Sequence, residues 1–154
     1  MKTLNLSGFN RFLATLPLKI AAAELAGLTA AAELITEEAR HEIGHYQRDN
    51  MGPSAEWEEL AKRTKDDRRS KGFPENNPLL RTGELLHSIS FHVEGNVAVV
   101  GSTSDVAVWQ ELGTRNIPPR SFLATAAYRK TAMASEAIAG RVVWVLRDLG
   151  ARND

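Results

Sequence analysis

Two adjacent prolines, Pro118-Pro119, fix what the last third of this chain can become. Neither carries a backbone N–H, so no helix interior or central strand runs through them. Gly113-Thr114, shortly upstream, adds a second break, because glycine tolerates backbone conformations that other residues avoid. The apolar segment Ala107–Leu112, carrying the apparent core aromatic Trp109, therefore ends at Gly113. Regular structure resumes at Ser121, a residue type that caps helices, and continues through Phe122 and Leu123. Turn chemistry and apolar anchors are denser in Ala107–Leu123 than elsewhere in the chain.

Upstream, Thr15 reads as an N-cap with Pro17 in the first turn of a long helix spanning roughly 16–48. Leu18, Leu25, Leu28, Ala32, Ile35, Ala39, Ile43 and Tyr46 recur at helical spacings and build one apolar stripe. Alanines fill much of the rest, which favours helix and permits close approach of a neighbour. That neighbour is either the chain's own core or, on the alanine face, a second copy. Residues 1–15 read as a short arm and 151–154 as a tail, flanking one domain over 16–150. Asp49–Ser54 is a loop, and Ser54 would cap a short helix from Ala55 to about Thr64 with Trp57 and Leu60 inward.

Lys62–Lys71 holds six basic and two acidic residues and leads into a Gly/Pro/Asn-rich segment, so 62–78 reads as an exposed, mobile loop excursion. Thr82 would cap a helical turn. Ile89, Phe91 and Val93 alternate with polar residues as a strand, Glu94-Gly95-Asn96 turns, and Val97–Gly101 returns as its antiparallel partner. Ser104-Asp105 starts a short helix. The last helix covers about 122–148, with Phe122, Ala126, Met133, Ala137, Val142, Val145 and Leu149 inward. Gly140 weakens it, and Val142–Val145 has strand character. The fold class expected is α+β: long N-terminal and C-terminal helices packed on a small antiparallel sheet.

Composition narrows the function. With 154 residues, 43% apolar and 25% charged, the chain suits a single packed core. Nineteen basic residues balance nineteen acidic ones, which removes the global basic excess of most nucleic-acid binders. Zero net charge gives little protection against self-association. With no cysteine there is no disulfide and no thiolate chemistry. The N-terminal apolar run contains Lys19, Glu24 and Glu33, unlike a membrane span, so a soluble protein made in the cytoplasm is expected.

His41-Glu42-Ile43-Gly44-His45 matches H-E-x-x-H. On a helix this places two imidazoles one turn apart for zinc, with Glu42 as general base. The metzincin continuation is missing, since Arg48 and Met51 stand where glycine and histidine would be. A small zinc metallohydrolase is therefore the alternative reading, and no catalytic residue, metal or cofactor is assigned in the main one. The basic run 62–71 offers a further nucleic-acid reading, but no aromatic residue interleaves it.

A resemblance carries the main reading. Leu80-Arg81-Thr82-Gly83-Glu84-Leu85-Leu86-His87-Ser88-Ile89, then Val100-Gly101-Ser102, Trp109-Gln110-Glu111-Leu112-Gly113-Thr114 and Pro118-Pro119-Arg120-Ser121-Phe122-Leu123 follow in order. Trp57-x-x-Leu60-x-x-x-Thr64 precedes them. This series resembles the tailed-phage virion-morphogenesis family of neck and tail-completion proteins, over roughly residues 55–125. The resemblance implies a non-enzymatic virion protein that is part of a ring at the head–tail junction. It implies copies of itself, connector or head-closure proteins, and tail terminator or tail-tube proteins as partners. DNA would pass through the lumen without sequence-specific binding, and no membrane is involved. Localisation would be the virion neck, after assembly in the host cytoplasm. Interface candidates are Arg81, Gly83, Trp109, Glu111, Gly113, Thr114, Pro118, Pro119, Arg120 and Phe122. Arg81, Glu111 and Arg120 either fix loops internally or pair across a subunit boundary.

Overall fold

The computed structural model describes residues 6–48 and 56–151, with side chains through residue 147. The Asp49–Ser54 loop, its Ser54 cap and the chain's extreme ends lie outside the described residues. The elements in order are α1 (Leu6–Glu42), α2 (Lys62–Ser70), α3 (Glu84–Ser88), β1 (Ile89–Glu94), β2 (Val97–Ser102), α4 (Asp105–Leu112) and α5 (Leu123–Ala151). The fold is α+β, two long helices over one antiparallel hairpin, as the residue pattern indicates.

The hairpin pairs Ile89 with Ser102 and Glu94 with Val97, so Glu94 belongs to the strand and the turn is Gly95-Asn96 alone, where Gly95 takes φ 56°. Ile89 is buried at the end nearest α1, while Val97 and Val99 face outward. The core lies where the C-terminal part of α1 meets this sheet and the start of α5. Ala39, Ile43, Trp57, Leu85, Ile89, Ala107, Phe122 and Ala126 make up its buried cluster. The Arg40 guanidinium donates to the Ile89 carbonyl at 2.6 Å and ties helix to strand.

Helix α1 departs from expectation at both ends. It begins by Leu6, so the described part of the expected arm is helical and Thr15 is not its cap. Pro17 sits inside the helix and leaves the Leu13 carbonyl without its N–H. Just upstream, the Thr15 hydroxyl donates to the Arg11 and Phe12 carbonyls at 3.1 and 3.2 Å. The helix stops at Glu42 rather than 48. Gly44 takes φ 96° and donates its N–H to the Pro78 carbonyl at 2.8 Å, which turns the chain out of the helix.

The alanine face of α1 packs against α5 of the same chain, not a second copy. Ala23, Gly27, Ala31, Ala32, Thr36 and Ala39 are the buried side of the helix. A Cβ on Gly27 would stand 2.7 Å from the Ile138 Cα, so the two backbones cross in near contact. Arg129 of α5 reaches Glu42 of α1 at 3.3 Å, so the helices run antiparallel. Packing through small residues turns large ones outward: Leu18 is 75% exposed and Leu25 49%, both expected inside. Helix α5 is continuous through Gly140, and the strand alternative at Val142–Val145 is not adopted. Met133, expected inward, is exposed.

The 62–78 stretch is also corrected. Lys62–Ser70 forms a helix, and residues 57–61 carry none. Arg68, within the supposed solvated run, is buried, and its Nη1 donates to the Asn77 and Leu80 carbonyls at 2.6 and 2.8 Å. One guanidinium thus folds the following loop back onto α2. Several of the other charges pair locally: Lys65 with Glu59, Arg69 with Glu75, and Lys71 and Arg81 with Asp67. Three of the six basic residues in Lys62–Lys71 are thus ion-paired and a fourth, Arg68, is buried, which reduces the free positive charge on which the nucleic-acid reading depended.

Candidate functional site

The segment from Trp109 to Leu123 turns out to be a bracket built around one carboxylate. Helix α4 presents Glu111 at its last turn, facing the start of α5. Glu111 Oε2 accepts the N–H groups of Phe122 and Leu123, each at 2.9 Å. Its Oε1 accepts the Ala124 N–H at 2.9 Å and the Ser121 hydroxyl at 2.6 Å. The first N–H groups of a helix have no partner within it and carry its positive dipole end, so a carboxylate is the matching acceptor. A residue eleven positions upstream of Phe122 thus does the capping work expected of Ser121.

The chain between these helices follows from that clamp. Gly113 turns at φ 74°, and a Cβ there would stand 3.0 Å from the Ile117 carbonyl oxygen and the Pro119 ring. Thr114 and Ile117 exchange backbone hydrogen bonds at 2.8 and 3.3 Å, and the Thr114 hydroxyl accepts from the Ile117 N–H at 3.1 Å. Pro118-Pro119 then delivers Arg120, whose N–H donates to the Gln110 carbonyl at 2.6 Å. The Arg120 guanidinium is buried and donates to the Glu58 carbonyl at 2.9 Å. Phe122 is fully buried in the core.

The ten interface candidates therefore divide. Glu111, Arg120 and Phe122 are committed inside the chain, and Gly113 and Gly83 shape turns, the latter at φ 88° before α3. Arg81 pairs with Asp67 at 3.0 Å and lies over the Phe73 ring at 5.1 Å. Trp109, Thr114 and Pro119 remain on the surface, with Pro118 half-buried. Trp109, read as a core aromatic, is 50% exposed; the buried tryptophan is Trp57. Val108 and Leu112, one turn apart on α4, stand exposed beside Trp109. That spacing was visible in the sequence, but it is the same spacing that a core-facing stripe has.

A second exposed apolar region lies at the far end of the α1–α5 pair. N-terminal to Ala23 no α1 residue is buried, and beyond Ala134 no described α5 residue is. This two-helix arm carries Leu6, Phe9, Leu13 and Leu18 on α1, and Val143, Trp144 and Leu146 on α5, all exposed.

Beside the bracket opens a cleft of about 800 Å³, walled by α2, the chain before α3, the start of α4 and the Pro118 turn. Arg68 and Arg120 both line it and both are more than nine-tenths buried. Burial, and then the nearby Arg81 charge, lower the Arg68 guanidinium below the usual arginine value; burial does the same to Arg120. Both meet only backbone carbonyls among the described residues. Arg120 Nε and Gln110 Oε1, also at the cleft, are buried without a hydrogen-bond partner among the described residues.

The H-E-x-x-H residues do not form the arrangement zinc hydrolysis requires. Helix α1 ends at Glu42, so His45 lies beyond it, its ring stacked on that of His41 with centroids 5.2 Å apart. His45 Nδ1 donates to the His41 carbonyl at 2.8 Å. Glu42 is turned the other way, buried against α5 beside Arg129, which also holds Gln47 at 2.6 Å. Among the described residues no three metal-ligating side chains come together. No described helix is long and apolar enough to cross a membrane.

Comparison with known protein families, curated proteins and solved structures finds no match to this chain.

Proposed function

We propose that this chain is a structural protein of the tailed-phage neck, a tail-completion or head–tail adaptor component that works as one subunit of a ring. The observation that carries the assembly part is the two-helix arm. Two helices alone cannot enclose a core, and no described side chain along the outer half of this pair is buried. The pair nevertheless displays Leu6, Phe9, Leu13, Leu18 and Trp144 to solvent. Clusters of large apolar side chains on one region of a soluble protein mark surfaces that another protein covers. Trp109, Val108 and Leu112 form a second such surface on α4. Two separate sticky surfaces on one subunit suit the head-to-tail contacts of a ring, in which one edge differs from the other.

The neck assignment rests on the ordered series of segments from Trp57 to Leu123, and the bracket gives that series a physical role. Glu111, Gly113, Arg120 and Phe122 hold the α4–α5 junction rigid while Trp109 is displayed beside it. Connector or head-closure proteins and tail terminator or tail-tube proteins are the proposed neighbours. Mass photometry of the purified chain, alone and with candidate connector proteins, tests the assembly part, and electron microscopy of purified virion necks tests the location. Rings, alone or on the connector, are the expected outcome. A chain that is absent from virions and monomeric with every connector overturns the proposal.

A further inference from the structure

The geometry points to a binding site for a single carboxylate in the cleft between α2 and the Pro118 turn, floored by Arg68 and Arg120. The ligand class is a glutamate or aspartate side chain presented by another protein segment. This inference does not depend on the ring-forming reading.

Two guanidinium groups are buried at this cleft, and among the described residues no carboxylate lies in ion-pair contact with either, the Glu58 carboxylate acting on Arg120 only from farther away. A buried cation is costly unless an anion compensates it, and backbone carbonyls supply only partial charge. Arg81, also at the cleft, adds a third positive group, although its own charge is met by Asp67. Among the described residues, Arg120 keeps its Nε unpartnered, and Gln110 beside it keeps its side-chain oxygen unpartnered. The volume lies inside the roughly 300–1,000 Å³ range of ligand clefts. Leu60, Phe73 and Ile117 line the same walls and suit the apolar flanks of a peptide.

The rim decides between a carboxylate and a phosphate. Glu58, Glu59 and Glu84 stand around the opening. Glu59 is paired with Lys65, whereas the Glu58 and Glu84 side chains make no described ion pair. A compact monoanion passes this rim with limited repulsion. A phosphate dianion or a nucleic-acid strand meets a larger barrier, since the repulsion scales with the ligand's charge. The floor is also pre-shaped. Leu79 takes φ 62° in a tight turn in which the Leu80 N–H donates to the Pro78 carbonyl at 2.7 Å. Leu79 lines the cleft, and the Arg68 bonds to Asn77 and Leu80 on either side lock that turn.

The test uses the full chain and nitrogen-detected NMR of the arginine Nε–Hε groups. The probes are acetylated, amidated glutamate, whose side chain is its only carboxylate, and equally blocked glutamine. Blocked glutamate should shift the Arg68 and Arg120 signals saturably, with a dissociation constant of about 1–10 mM. Blocked glutamine should leave them unmoved, and inorganic phosphate and an oligothymidylate should bind more weakly than glutamate. Because Arg120→Met can fail to fold, the second arm changes only exposed rim residues. E58Q/E84Q should tighten blocked-glutamate binding about threefold or more, as expected for removing two nearby like charges. Equal response to glutamine, preference for phosphate or oligonucleotide, no response to any probe, or no gain from the rim variant each overturns the site.

Discussion

Glu111 shows how one residue fixes the conformation of many. Its carboxylate accepts three backbone N–H groups and a hydroxyl, all from residues 121–124. E111Q retains the shape but loses the charge and sets an amide N–H₂ against N–H donors. It should cost about 2–3 kcal/mol of unfolding free energy in urea, in line with losing charge-assisted hydrogen bonds. E111D, which keeps the charge on a shorter stem, should retain part of that. A loss below about 0.5 kcal/mol for E111Q would mean that solvent caps α5 adequately. The residue is plain in sequence but its role is not: a capping carboxylate twelve positions before the first residue of the helix has no local signature, whereas Ser121 has one.

At the scale of elements, the α1–α5 crossing and helix α2 make opposite kinds of claim. The crossing depends on absent atoms. G27A should destabilise the protein by about 1–3 kcal/mol, since its Cβ meets the Ile138 backbone and one helix must move away. G140A, whose Cβ would meet nothing within 4 Å, should stabilise by about 0.5–1 kcal/mol through helix propensity alone. Thermal unfolding of the two variants decides the sign of each. Helix α2 depends instead on charges at its surface. Lys71 and Arg81 hold the Asp67 carboxyl below its ordinary value, and Lys65 does the same for Glu59. Both groups have depressed folded-state values, so their contribution is present above the ordinary carboxylate range and is lost as pH falls through the folded values. Signals from α2 should therefore loosen below about pH 4 while those of the core persist. D67N should show less of this acid response in an NMR pH titration.

For the whole molecule, the question is what covers the apolar surfaces. W109S/L112S on α4, and L6S/L18S on the two-helix arm, alter side chains that are at least half exposed. Each pair should leave the monomer's unfolding temperature within a few degrees, as surface changes do, and each should reduce ring formation in mass photometry at least tenfold. If both pairs assemble normally, neither surface is an interface. The arm variant is the sharper of the two, because among the described residues only α5 lies alongside that end of α1.

The hairpin and the breaks on either side of the Pro118-Pro119 loop are legible in the residues themselves. Alternation at Ile89–Val93, the Gly95-Asn96 turn and the Gly113 and Pro118-Pro119 breaks act over a few residues, so their consequences are written locally. The α+β class follows from them. Tertiary structure decided which face of each helix is buried. A stripe of alanine and glycine and a stripe of leucine have the same period, and transfer energy alone favours burying leucine. Only the partner reveals that α5 approaches too closely for leucine to fit between the helices. The same holds for Arg68 and Trp109, whose surroundings are built by residues distant in the chain. A charge run reads as solvated, and a tryptophan reads as core, until the fold brings carbonyls to the one and leaves the other uncovered.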